Sequence, residues 1–105
     1  MAKYLFRGRF TSTGWQGAVK EGFAAREAYV RQLVESAGGS VEVFYFIYGE
    51  DDVIFVADVD PRAAAAFSMA ANQTGAVEVS TSPLLNSAEM DEARHRLPNY
   101  QPPGA

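Results

Sequence analysis

Few residues in this chain could do chemistry, and they are scattered. Glu50, Asp51 and Asp52 place three carboxylates in one turn, Arg7 and Arg9 flank Gly8, Trp15 stands in a polar stretch, and His95 is the single histidine. Adjacent carboxylates could hold a hard cation such as Mg²⁺ or Ca²⁺ through oxygen ligands. The spacing is not that of an EF-hand loop, and acidic residues are common in turns, so a solvated turn without metal is expected. Histidine is the usual general base near neutral pH, but His95 lies between Arg94 and Arg96, whose charge disfavours its protonated form. It is kept as a ligand contact beside the alternative of a surface residue. Arg7 and Arg9 could grip a ligand carboxylate through paired N–H donors if they face a cavity with Tyr45 or Tyr48. Turned to solvent, or toward Glu42 or Glu78 across a dimer, they would be structural. Trp15 could wall or cover a pocket, or anchor its loop in the core.

The whole chain narrows these options. At 105 residues it is long enough for one domain with its own core. It has no cysteine, which removes thiolate metal sites, cysteine nucleophiles and disulfides, and it fits a reducing cytoplasm. Thirteen acidic residues against nine basic ones give a formal charge of -4, with Lys3, Arg7 and Arg9 as the one close basic set. Nucleic acid is therefore not expected as a partner, since phosphate neutralisation needs clustered cations. No apolar run approaches the ~20 residues of a membrane span, and no signal peptide is expected. The expected setting is cytoplasmic.

Periodicity supplies the elements that must position these side chains. Residues 3–10 alternate, with Tyr4, Phe6, Gly8 and Phe10 on one face and Lys3, Leu5, Arg7 and Arg9 on the other, predicting a strand. A polar turn over 11–15 leads into a helix over 16–37, whose predicted buried stripe is Val19, Phe23, Val30, Leu33, Val34 and Ala37. Gly22 marks a break or close approach within it, and Gly38 and Gly39 end it. Residues 41–59 read as a hairpin, its first strand showing Val41, Val43, Tyr45 and Ile47 on one face and Phe44, Phe46 and Tyr48 on the other. Both faces are apolar, which asks for two covers, one of them a second subunit. Pro61 opens an alanine-rich helix, 76–82 form a last strand, and 89–96 a short charged helix. Residues 1–97 are expected to be one domain and 98–105 a Pro-rich tail.

The order strand, helix, strand, strand, helix, strand is a doubled split βαβ. It predicts an α+β, ferredoxin-like fold: a four-stranded antiparallel sheet with both helices on one face and a short C-terminal helix added. Pairing of the free sheet faces would give a dimeric α/β barrel.

The stretch from Tyr4 to Gly14, the Gly38-Gly39 stop, Val43-Phe44-Tyr45 and the turn Gly49-Glu50-Asp51-Asp52 resemble the GYD domain family over residues 4–85. The resemblance implies the dimeric α/β barrel fold and no particular activity. The family usually carries an aromatic where this chain has Asp51, which makes the turn more acidic here.

These readings lead to a small homodimer, or higher homo-oligomer, that binds a small organic molecule or a protein partner without a metal or other cofactor. The expected pocket lies between sheet and helices or inside the dimer barrel, lined by Phe6, Phe44, Phe46, Phe55 and Tyr48 with Arg9 as anchor. Two alternatives stay open. One is a cofactor-independent enzyme of the monooxygenase or isomerase type, by analogy of fold; the other is a structural assembly module.

Overall fold

Alternation along the first strand carries through to the tertiary structure. The computed structural model describes residues 2–105 as β1 (Ala2–Phe10), α1 (Ser12–Glu21), α2 (Phe23–Ser36), β2 (Ser40–Phe46), β3 (Val53–Val59), α3 (Pro61–Asn72), β4 (Val77–Pro83) and α4 (Ser87–Arg94). The strands form one antiparallel sheet in the order β2-β3-β1-β4, with helices packed on one side and α4 added at the end. This is the ferredoxin-like arrangement predicted from the element order.

Three phenylalanines fix the middle of the covered face. Phe6, Phe55 and Phe44 are register partners on β1, β3 and β2. Their rings stack at centroid distances of 4.6 and 5.6 Å. Phe67 of α3 meets Phe6 and Phe55 edge-on at 5.4 and 5.8 Å. Val30 and Val34 of α2, Ala64 of α3, and Val53, Ala57 and Val59 of β3 complete the core. Burying each such ring stabilises the fold by about 1.5–3 kcal/mol relative to exposure.

Four expectations are corrected. The helix predicted over 16–37 is two helices, because Gly22 adopts φ 97°, a conformation that disfavours other residues. Residues 12–15 are helical rather than a turn. Thr11 is the N-cap, accepting from the Gly14 N–H at 3.3 Å, while its own N–H donates to the Ala76 carbonyl at 3.0 Å. The predicted stripe is buried only at Val30 and Val34: Val19, on α1 before the break, is exposed, Phe23 and Leu33 remain more than a third exposed, and Ala37 is the exposed C-cap of α2. Finally, a bulge between Val41 and Val43 turns Val41 toward the covered face and leaves Val43 and Tyr45 on the open one.

The alanine-rich helix starts as its sequence demands. Asp60 accepts from the N–H groups of Arg62 and Ala63, and Pro61 follows it as the first helical residue. α4 carries a capping box, Asn86 accepting from the Glu89 N–H at 2.8 Å while Glu89 accepts from the Asn86 N–H at 3.0 Å. None of its residues is buried.

Candidate functional site

Strand parity decides which candidate residues can meet. Phe6, Phe44, Phe46 and Phe55 lie on the helix-covered face, whereas Arg7 and Arg9 lie on the opposite one. Arg7 borders only a small inner space of about 50 Å³ together with Phe6, Phe46 and Phe55. Phe6, Phe44 and Phe55 are buried in the ring stack, and half-buried Phe46 extends it to Phe23 at 5.1 Å. Trp15, on α1, stands edge-on to Phe10 at 5.0 Å, tying that helix to the end of β1. Tyr48 is fully exposed, and His95 is an exposed residue at the C-terminal end of α4.

The turn carboxylates are divided by the fold. Glu50 meets Arg9, whose Nε donates to the Glu50 carbonyl at 2.9 Å. Asp52 points the other way: its Oδ2 accepts from the Phe10 N–H at 2.8 Å, and its own N–H donates to the Gly8 carbonyl at 2.9 Å. It fastens the turn to β1. Asp51 is half-buried. Among the described residues, no three His, Asp or Glu side chains are grouped to hold a metal ion.

The open face has its own pattern. Leu5, Val43, Tyr45, Ile54 and Val56 form an apolar corner over β1, β3 and β2, while Glu78, Ser80 and Ser82 line the β4 edge. At one end Lys3 bonds Glu42 at 2.7 Å and approaches Asp58 at 3.9 Å. The Glu42 hydrogen bond is the main reason the Lys3 ammonium titrates above its ordinary range. Arg7 and Glu78 make no ion pair or side-chain hydrogen bond among the described residues.

Space for a ligand lies on the covered side. Between α1 and α2 on one flank and α3 with the start of β4 on the other runs a cleft of about 600 Å³. Phe10, Ala18, Phe67, Ala70, Ala71 and Val77 make it apolar, and Thr13 and Thr74 add hydroxyls. Its charged groups are Glu21 and Arg26. An inner space of about 50 Å³, bordered by Phe46 and Phe55, shares Arg26, Phe10 and Phe67 with the cleft. A further hollow of about 390 Å³ between α2 and α3 shares Phe67 and Ala70 with it.

Arg26 is held by its own helix. Its guanidinium lies 4.8 Å from the centre of the Tyr29 ring, three residues along α2, a cation–π contact. Glu21, across the Gly22 break, approaches it at 3.7 Å, too far for a hydrogen bond. Sequence reading missed Arg26, Tyr29 and Glu21. The available signal was Gly22: a glycine that splits a helix places the residues on either side of it at a corner.

The family model for the GYD domain matches residues 4–93 of the chain. The match extends beyond residue 85 to take in most of α4. No curated protein matches the chain.

Proposed function

The chain belongs to the GYD domain family, and from that premise we propose that it binds a small organic molecule in the cleft between helices and sheet and works as a homodimer joined through the open sheet faces. The cleft carries the proposal. At about 600 Å³ it is of the size that takes metabolite-sized ligands, which commonly need ~300–1,000 Å³, and it has the usual composition of apolar walls with a few fixed polar groups.

The dimer reading rests on the open face. Tyr45 is 64% exposed at the corner shared with Val43, Ile54, Val56 and Leu5, a set of side chains that a second copy of the same sheet would cover. Charge favours a second copy over an unrelated partner. Arg9 and Lys3 already have partners in their own chain, while Arg7 and Glu78 offer one unpaired charge of each sign, so a two-fold axis can match Arg7 of one copy to Glu78 of the other.

Two measurements test the two parts separately. Light scattering after gel filtration is expected to give twice the chain mass of 11.4 kDa, and Tyr45→Asp to give one chain mass with its far-UV circular dichroism retained. A wild-type monomer at micromolar concentration contradicts the dimer. Thermal-shift screening against small organic acids, alcohols and amines is expected to raise the melting temperature with at least one class. Ala70→Trp, which fills the cleft from an exposed position on α3, abolishes that rise. A rise that survives Ala70→Trp contradicts the cleft.

A further inference from the structure

We propose that the ligand of this cleft carries one carboxylate on an apolar body, the carboxylate taken by Arg26; this rests on the cleft being the ligand site. The Arg26 side chain is 35% exposed and makes only a loose ion pair, with Glu21 at 3.7 Å, so its N–H donors stay open to a better-placed carboxylate. A guanidinium has five N–H donors arranged to match a carboxylate in two parallel bonds. It is also placed for the task. Tyr29 holds the head from one side, and Arg26 borders both the cleft and the inner space beneath it, where the two volumes meet.

The surroundings select the charge and shape. α2 begins at Gly22 with no side-chain cap and no acidic residue in its first turn, so the positive end of its dipole adds to the charge of Arg26, with Glu21 just before it. Glu21 is the one negative group of the cleft. It would repel a dianion such as a phosphate monoester more than a single carboxylate, which can take the position facing Arg26 that Glu21 approaches only to 3.7 Å. Phe10, Ala18, Phe67, Ala70 and Val77 then cover an aliphatic or aromatic body. An arginine beside apolar walls describes a place for an amphiphilic acid.

Isothermal titration calorimetry on the full chain with decanoate, decanol and decylammonium separates the headgroup from the body. Decanoate is expected to bind roughly ten- to a hundredfold tighter than decanol, the range of a charge-assisted hydrogen-bonded pair, with decylammonium weakest. Arg26→Gln is expected to erase the decanoate preference. Arg26→Lys, which keeps the charge and loses the fork, keeps part of it. Glu21→Gln is expected to tighten decanoate. Ala70→Trp abolishes binding of every probe, and circular dichroism verifies that each variant is folded. Equal binding of decanoate and decanol, both lost in Ala70→Trp, would overturn the carboxylate and leave the cleft standing. No binding of any probe, or binding indifferent to Ala70→Trp, would overturn the cleft itself.

Discussion

At the scale of single residues, the acidic groups divide into those that fasten the fold and those that face solvent, and sequence neighbours fall on both sides of the division. Asp52 accepts from the Phe10 N–H in a part-buried position. Asp52→Ala leaves that donor without its partner and is expected to cost about 1–3 kcal/mol in urea unfolding, whereas Asp51→Ala, which breaks no such bond, costs less. Asp60 yields a prediction about pH. Burial raises its pKa, but hydrogen bonds from the Arg62 side chain and from the Arg62 and Ala63 amides outweigh that and leave it lowered overall. A lowered folded-state pKa means the charged cap is more stable folded than unfolded. Its contribution is complete above the ordinary carboxylate range and disappears as pH falls through the lowered value. Asp60→Asn keeps an acceptor but cannot ionise, so the melting-temperature gap between it and the wild type is expected to narrow on acidification. A constant gap would contradict this account of the cap. Parity along β1 and β3 was legible in the sequence because alternation is local. The separation of Glu50 from Asp52 was not, because it depends on which strand end each one reaches.

At the scale of elements, Gly22 is the position that shapes the cleft. It ends α1 by donating to the Ala18 carbonyl at 2.8 Å and starts α2 at φ 97°, giving the corner where Glu21 and Arg26 meet. Gly22→Ala forces a side chain into that conformation and is expected to destabilise the protein by about 1–3 kcal/mol. It also weakens ligand binding beyond the loss of folded protein, because the corner shifts. Gly17→Ala, at a helical position with open space around it, is the control for stability alone, expected to be neutral or stabilising. The sequence signals the glycine but not its outcome, since a helical stripe can be drawn through 16–37 in either phase. The bulge between Val41 and Val43 is of the same kind: strict alternation predicts Val41 beside Val43, and one extra residue in the strand separates them. By contrast, Pro61 announces its helix, because its missing N–H suits a first turn; the last helix, predicted over 89–96, begins at Ser87 because Asn86 caps it.

At the scale of the whole molecule, the shape is longer than a compact chain requires. The Cα radius of gyration is 16.8 Å, against about 13 Å for a globular chain of this length. None of α4 is buried, and Leu85, Met90, Leu97 and Tyr100 are all more than half exposed. No helix is long and apolar enough to cross a membrane. The fold could be read from the order of periodic segments, because each split βαβ unit constrains its own connections. The cleft could not, because it is the space left where α1 and α2 fail to close against α3, and no local pattern encodes a gap between distant elements. The central claim is that this space holds a small molecule. The most direct measurement is a high-resolution crystal structure of the protein purified without refolding from the cells that make it. The account predicts continuous non-protein density in the cleft, its polar end within hydrogen-bonding distance of Arg26. A cleft closed by α2 packing directly on α3, or filled by residues of the chain itself, would contradict it.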